Sequence, residues 1–218
     1  MLPLLSFDAI VFDLDGVLVD TEPLAWDVYC EIFSAQGIAL TKEQAAATIG
    51  IDMPGTARLL LDATGLTWTP EALLQKHLFR LYERFSVELS PFPGAVELVQ
   101  RLAAAGIPLG LASNSPVDYV RRVLRAIALE PHFKTIIGRD RVINPKPHPD
   151  VYLEACRQLG ANPARSLAIE DSQVGLQAAL AAGLSAAWIH PPVPEPLSAN
   201  VWRISSLVEL LAAGFTTP

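Results

Sequence analysis

The chain has 218 residues, of which 51% are hydrophobic and 18% are charged. This length suits one domain of ordinary size, or a core with a small insert, and the apolar share excludes wholesale disorder. The 16 basic and 23 acidic side chains give a net charge of −7 at pH 7, and because a surface of that sign repels phosphate backbones, no nucleic-acid partner is expected.

The first predicted elements are a buried strand and a helical insert. The apolar run Phe7–Phe12 ends in acidic residues and is typical of a buried strand. From about Pro23 to Phe85 the pattern is helical, without a convincing strand, and one of the helices begins at Thr69. Four aromatic side chains are expected in the core of this insert rather than at a substrate surface. They are Trp26, Phe79, Tyr82 and Phe85.

Beyond residue 90, apolar runs alternate with amphipathic helices. The further predicted strands are Ile107–Ala112, Thr135–Gly138, Ser166–Ile169 and Ser185–Ile189. The helix after the second strand is expected to have Ser115 as its N-cap and Pro116 as its first residue. Such alternation predicts a parallel α/β sheet. The expected division is a discontinuous core at 1–18 and 90–218, with a helical domain at 19–89.

The cysteines and the longest uncharged stretch bear on the compartment. Cys30 and Cys156 are too few for a disulfide scaffold and predict free buried thiols in a reducing environment. The N-terminus lacks the basic region of a signal peptide. Residues 172–194 carry no Asp, Glu, Lys or Arg, but glutamines, glycines and prolines interrupt them, which predicts helix, turn and strand rather than a membrane span. We therefore expect a cytoplasmic protein with no membrane partner.

Polar residues follow three of the predicted strands. They are Asp13 and Asp15 after the first strand, Ser113 and Asn114 after the second, and Glu170 and Asp171 after a later one, with Lys146 in the segment between. Open parallel sheets bind ligands outside the carboxyl ends of their strands. Four carboxylates in one crevice would repel each other, and a hard divalent cation such as Mg²⁺ relieves that repulsion. A hydroxyl, an amide and a lysine in the same crevice suit a phosphate group.

These residues belong to four motifs in a fixed order. The motifs are DLDGVLVD at 13–20, SNS at 113–115, KPHPD at 146–150 and EDSQVG at 170–175. With this set the chain resembles hydrolases of the haloacid dehalogenase superfamily, in the branch that includes β-phosphoglucomutase and phosphoglycolate phosphatase. The resemblance covers nearly the whole chain, although the helical insert matches only in placement and length. It implies a Rossmann-like core, a mobile helical cap and Mg²⁺-dependent phosphoryl transfer through an aspartyl phosphate.

The resemblance also implies roles for the two acids of the first motif and for the lysine. Asp13 would be the nucleophile that forms the phosphoenzyme. Asp15 would protonate the leaving alcohol and then activate water, and alternation along a strand would turn both carboxylates to the same side. Lys146 would offset the charge of the nucleophile and of the transferring phosphoryl group.

Substrate and metal would be held by the remaining motif residues. Ser113 and Asn114 resemble the phosphate-binding motif, aided by backbone N–H groups at the start of the following helix. Lys146 would also contact the phosphate. The metal ligands implied by the resemblance are Asp13, the Asp15 carbonyl oxygen, Asp171 and, directly or through water, Glu170.

The resulting expectation is a Mg²⁺-dependent phosphatase of a small phosphorylated metabolite, such as a sugar or polyol phosphate, working as a monomer or weak dimer. A phosphomutase shares the core and stays open as an alternative. A dehalogenase also uses an Asp nucleophile, but it needs neither the Asp15 acid nor a carboxylate cluster for Mg²⁺. A non-enzymatic module that accepts phosphate on Asp13 needs neither Asp15 at this spacing nor a long helical insert.

One position separates phosphatase from mutase. In β-phosphoglucomutase-like proteins a histidine shortly after the first motif assists the acid–base cycle, and its position falls at Ala25 here. A mutase must keep its phosphoenzyme intact until the reoriented intermediate attacks. Without that histidine we expect hydrolysis, unless another group such as His77 substitutes for it.

Overall fold

The structure is a computed structural model, and it describes residues 2–49, 51–189 and 199–213. Contacts between Cα atoms divide the chain into two units. The first unit comprises residues 1–20 and 90–218, and the second comprises residues 21–89. The first contains every described strand, whereas the described secondary-structure elements of the second are all helices, joined by short loops. Four short 3₁₀ helices lie in the first unit, at Leu4–Ser6, Glu130–His132, Arg139–Arg141 and Pro163–Arg165.

A parallel sheet forms the centre of the first unit. Its described strands are β1 (Ala9–Phe12), β2 (Leu109–Ala112), β3 (Thr135–Ile137), β4 (Ser166–Glu170), β5 (Ser185–Ile189) and β6 (Val201–Ile204). They lie in the order β3-β2-β1-β4-β5-β6, and each pair of neighbours is parallel. The predicted parallel α/β sheet is therefore confirmed. Five strands lie within one or two residues of their predicted bounds, and β6 is an addition.

The second unit consists of four helices within its described residues. They are α1 (Glu22–Ser34), α2 (Lys42–Thr48), α3 (Met53–Thr64) and α4 (Pro70–Glu88). Helix α4 begins where predicted, because the Thr69 hydroxyl accepts the Ala72 N–H at 3.2 Å and so caps the first turn. Its buried residues recur every fourth position, at Leu73, His77, Leu81 and Phe85. Phe79 lies on the opposite side and is 65% exposed, so the prediction that it belongs to the core is wrong.

Five helices flank the sheet in the described part of the first unit. They are α5 (Ala95–Ala104), α6 (Val117–Ala126), α7 (Asp150–Leu159), α8 (Gln173–Ala181) and α9 (Leu207–Ala213). Helix α6 corrects a prediction, because Pro116 and not Ser115 is its N-cap and no side chain of the cap bonds its backbone. The Val117 N–H is instead donated to Oδ1 of Asp140 at 2.9 Å. A carboxylate of the 3₁₀ helix after β3 thus accepts the first N–H of α6.

The core between the sheet and α7 and α8 is apolar, with one phenol. Val11 and Ala168 of adjacent strands pack there against Tyr152 and Cys156 of α7. Cys156 is buried as predicted, whereas Cys30 is only half-buried, and both are free thiols. The uncharged stretch forms α8, a turn and β5, as predicted, and its residues 190–194 lie outside the described residues. No helix in the described part of the chain is long and apolar enough to cross a membrane.

Candidate active site

Three neighbouring strands end at the site. In the order β2-β1-β4, the carboxyl ends are followed by Ser113, by Asp13 and by Asp171, and Glu170 is the last residue of β4. Because parallel strands end at one edge of the sheet, residues more than 150 positions apart in sequence become neighbours there. The Asp13 N–H, for example, is donated to the Ile169 carbonyl at 2.9 Å.

Lys146 lies between two of these carboxylates. Its Nζ donates to Oδ1 of Asp13 at 2.6 Å and to Oε1 of Glu170 at 2.5 Å, and its side chain is 4% exposed. Burial by itself would lower the pKa of Lys146, but the attraction of the two carboxylates outweighs it and the pKa lies above its ordinary value. The amine is therefore a permanent positive charge against the predicted nucleophile, not a solvated surface group.

Glu170 is completely buried and accepts hydrogen bonds on both carboxylate oxygens. Oε1 accepts from Lys146 and, at 2.6 Å, from the hydroxyl of Tyr152, while Oε2 accepts from the Ser172 hydroxyl at 3.1 Å. A side chain at Gly175 would overlap the Glu170 carboxylate, so only glycine fits at this position in the first turn of α8. Sequence analysis did not identify Tyr152 as part of the site, and the signal for its role is a hydroxyl on an otherwise apolar helix face.

Asp171 is fixed by its backbone and by a glycine. The indole N–H of Trp188 donates to the Asp171 carbonyl at 2.9 Å, which ties the loop after β4 to β5. Gly16 has a φ of +78°, and a side chain there would overlap the Asp171 carboxylate, so both conformation and space require glycine. Burial, with repulsion from Glu170, raises the pKa of Asp171 to about 6. Sequence analysis did not identify Trp188 as part of the site.

Three carboxylates at the site fit a hard metal ion. Asp13, Glu170 and Asp171 each offer an oxygen, and these oxygens lie within 4.8 Å of one another. Burial raises the pKa of Asp13 well above its ordinary value, although Lys146 opposes that shift. Set against the single charge of the Lys146 ammonium, these three carboxylates would carry two excess negative charges when ionised. An all-oxygen set with that excess suits Mg²⁺, which would bring the site to neutrality.

Asp15 lies near these groups but is not one of the three. Strand β1 ends at Phe12, so Asp15 lies in the following turn, where it pairs with Val19. The orientation of the Asp15 side chain therefore cannot result from alternation along β1, contrary to the prediction. The burial pattern still alternates here, with Leu14 buried between two half-buried aspartates. The Asp15 charge contributes to the raised pKa of Asp13, which places the two carboxylates in one electrostatic environment.

Ser113 and Asn114 form the turn after β2. The Ser113 N–H continues the sheet to the Ile137 carbonyl at 3.0 Å, and its hydroxyl oxygen accepts the Ser115 N–H at 3.0 Å. The Ser113 hydroxyl can therefore still donate its hydrogen to an anion. The side-chain amide of Asn114 forms two hydrogen bonds with the backbone of Lys146. Its oxygen and one of its two N–H hydrogens are therefore already used within the protein. The predicted help from the start of α6 is reduced, because Asp140 takes the Val117 N–H.

An open parallel sheet with carboxylates, a buried lysine and a hydroxyl at its strand ends is chemically suited to bind a phosphate group and to transfer it. Residues 10–189 match the family model described as haloacid dehalogenase-like hydrolase. Because the match spans most of the 218 residues, the chain belongs to this family. The predicted family and the prediction of an enzyme are thereby confirmed.

Similar proteins agree with this assignment. The chain is 30% identical to the phosphorylated carbohydrates phosphatase of Thermotoga maritima, over 81% of this chain and 82% of that protein. It is 29% identical to hexitol phosphatase B of Escherichia coli O157:H7, over 94% of each chain. A solved structure from Thermotoga maritima, described provisionally as a β-phosphoglucomutase, superposes with a TM-score of 0.83 at 27% identity, over 94% of this chain and 96% of that one.

Proposed function

We propose that this protein is a Mg²⁺-dependent phosphatase that hydrolyses a small phosphorylated metabolite, such as a sugar or polyol phosphate, through an aspartyl phosphate on Asp13. The observation that carries the proposal is the Lys146 ammonium, held 2.6 Å from the Asp13 carboxylate beside two further carboxylates. Two of the similar proteins support the substrate class, since one is named for phosphorylated carbohydrates and the other for hexitol.

In the proposed mechanism an Asp13 carboxylate oxygen attacks phosphorus, and the bond between phosphorus and the leaving oxygen breaks. Asp15 gives its proton to that oxygen, so the product leaves as an alcohol. Asp15 then takes a proton from water, whose oxygen attacks phosphorus and releases inorganic phosphate and free Asp13. Lys146 offsets the negative charge on Asp13 and on the phosphoryl oxygens in both steps.

The remaining groups bind rather than react. The Ser113 hydroxyl hydrogen is available to a phosphate oxygen, because the hydroxyl oxygen already accepts the Ser115 N–H. Asp13, Glu170 and Asp171 are proposed to hold Mg²⁺, and the bound ion would neutralise the excess carboxylate charge that repels an anionic substrate. A cytoplasmic location and a monomeric or weakly dimeric state remain predictions.

A sugar phosphomutase is the second candidate, and the similarity to the Thermotoga maritima structure supports it. The residue at position 25 counts against it, because alanine has no group to assist proton transfer. We therefore place hydrolysis first.

The test is a panel of phosphorylated metabolites, assayed with Mg²⁺ for release of inorganic phosphate. Sugar, polyol and small-acid phosphates form the panel, and p-nitrophenyl phosphate reports general phosphatase activity. Expected are hydrolysis of a small subset, loss of turnover in excess EDTA and recovery when Mg²⁺ is added back. Full activity in EDTA would refute the metal dependence, and no phosphate release from any compound would refute the proposed function.

A further inference from the structure

We propose that the side chain of Asn114 is a positioning residue for Lys146 and not a phosphate ligand. Oδ1 of Asn114 accepts the Lys146 N–H at 2.9 Å, and Nδ2 donates to the Lys146 carbonyl at 3.1 Å. One side-chain amide thus bonds the backbone donor and the backbone acceptor of the same residue. The inference concerns the proposed phosphatase site and rests on that function for the meaning of its activity measurements.

The sequence around Lys146 explains why such support is needed. Pro145 and Pro147 flank the lysine, and proline has no N–H, so Lys146 supplies the only backbone donor of this tripeptide. The segment forms neither helix nor strand, and its internal backbone bond is a turn from the His148 N–H to the Pro145 carbonyl at 3.0 Å. The Asn114 side chain therefore supplies the two backbone hydrogen bonds that a neighbouring strand would give to Lys146 in a sheet.

Anchoring of the Lys146 backbone matters because the side chain is long and flexible, whereas its ammonium must be placed accurately. Nζ must reach Oδ1 of Asp13 and Oε1 of Glu170 at once, at 2.6 and 2.5 Å. Four methylene groups separate Nζ from the backbone, so a displaced backbone would move the ammonium or force the chain into a poorer rotamer. Fixing the backbone at both its donor and its acceptor removes that freedom before substrate arrives.

The same geometry leaves phosphate to other donors. One of the two Nδ2 hydrogens of Asn114 is donated to the Lys146 carbonyl, and Oδ1 accepts the Lys146 N–H. Only the second Nδ2 hydrogen of this side chain is left for another acceptor. Within the described part of the chain, no hydrogen bond uses the backbone N–H of Asn114. We assign phosphate binding in this turn to that N–H and to the Ser113 hydroxyl hydrogen, neither of which is donated within the described residues. Replacing the side chain should therefore spare phosphate affinity.

The test compares Asn114→Ala with two other variants. For Asn114→Ala we expect kcat to fall about 10- to 100-fold, as for a catalytic group displaced by a fraction of an ångström to one ångström. Its KM and its inhibition constant for inorganic phosphate should stay within about threefold of wild type. Ser113→Ala should instead raise the inhibition constant for inorganic phosphate, because it removes a proposed phosphate donor. Asn144→Ala is the matched control, because this exposed amide two residues before Lys146 bonds Asp150, the first residue of α7, and its kcat should stay within about twofold.

A raised phosphate inhibition constant in Asn114→Ala, with kcat unchanged, would overturn the inference. A second measurement is independent of turnover, so it separates failure of this inference from failure of the proposed function. A crystal structure of Asn114→Ala should show the Lys146 ammonium displaced from Asp13 or spread over several positions. An unmoved ammonium at about the wild-type distance of 2.6 Å would overturn the positioning role even if wild type released no phosphate. If the alanine variant does not fold, Asn114→Ser, which keeps one polar group, takes its place in both measurements.

Discussion

The hydroxyl oxygen of Tyr152 lies 2.6 Å from Oε1 of Glu170, and both side chains are completely buried. Oε1 of Glu170 also accepts a hydrogen bond from the Lys146 ammonium, whose Nζ lies 5.1 Å from the centre of the Tyr152 ring. A buried carboxylate is costly unless donors surround it, and the tyrosine is one of the donors that make this one tolerable. Tyr152 therefore links the apolar core to the charged site.

Removing that hydroxyl should be costly, and a second tyrosine provides the matched control. Tyr152→Phe is expected to lower the free energy of unfolding by about 2 kcal/mol, because a buried bond to a charged acceptor is lost. The hydroxyl of Tyr29 is also buried, but it has no hydrogen-bond partner among the described residues. Tyr29→Phe should therefore cost nothing or stabilise slightly. Urea unfolding of both variants checks this, and equal losses would contradict the importance of the Glu170 bond.

The role proposed for Asp15 predicts a dependence on the leaving group. Asp15→Asn should lower kcat/KM for an alkyl phosphate by about 1000-fold, because the departing alkoxide then receives no proton. The loss for p-nitrophenyl phosphate should be about tenfold or less, since p-nitrophenolate leaves without assistance. Asp8→Asn is the control, because the partly exposed Asp8 carboxylate pairs with Arg165 and its replacement should leave both values near wild type. Equal losses for both substrates would reject Asp15 as the acid.

The fold could be predicted well where the sequence pattern is strong. Runs such as Ser185–Ile189 are short, apolar and bounded by turn residues, and they are the strands of the structure. Strand β6 was not predicted because Val201–Ile204 contains Arg203 and lies at the edge of the sheet formed by the described strands, so its interior is half-buried and its pattern is weak. Phe79 was misplaced because hydrophobicity alone does not decide which face of α4 is buried.

The candidate site was predictable as a set of motifs but not as a network of contacts. Strand-end acids and a lysine can be found from spacing, whereas the partner of a side chain depends on packing between distant segments. Asn114 illustrates this, because its partner Lys146 is 32 positions away, and so does the capping of Val117 by Asp140, 23 positions away. Local rules favoured Ser115 as the cap, and a tertiary contact prevailed over them.

A buried histidine in the helical unit makes stability depend on pH. His77 is completely buried, stacks on Tyr29 with ring centres 3.8 Å apart, and bonds the Ala25 carbonyl through Nε2 at 2.9 Å. Burial lowers its pKa from 6.5 to about 4, against a smaller opposing effect of the Ala25 bond. The folded state thus holds the ring neutral, while the unfolded chain binds a proton below pH 6.5. Its contribution to stability is complete above pH 6.5 and is lost as the pH falls toward 4.

The predicted measurement is the free energy of unfolding between pH 7 and pH 4.5. His77→Gln should lose less stability over this range than wild type, by up to about 3 kcal/mol for a shift of this size. The amide of glutamine keeps a donor for the Ala25 carbonyl but does not titrate. His148→Gln is the control, since His148 is exposed and its replacement should leave the pH dependence of wild type. Parallel curves for wild type and His77→Gln would contradict the prediction.

The last prediction is that the protein hydrolyses its phosphoenzyme rather than passing the phosphoryl group back to a sugar. His77 is poorly suited to replace the missing histidine, because it is completely buried, its Nε2 bonds the Ala25 carbonyl, and burial lowers its pKa to about 4, so the ring is neutral at pH 7 and a weak acid. With alanine at position 25, water should reach the phosphoenzyme through Asp15 and phosphate should accumulate. Incubation with Mg²⁺, β-glucose 1-phosphate and a trace of glucose 1,6-bisphosphate checks this. Glucose 6-phosphate appearing faster than free phosphate would establish the mutase instead.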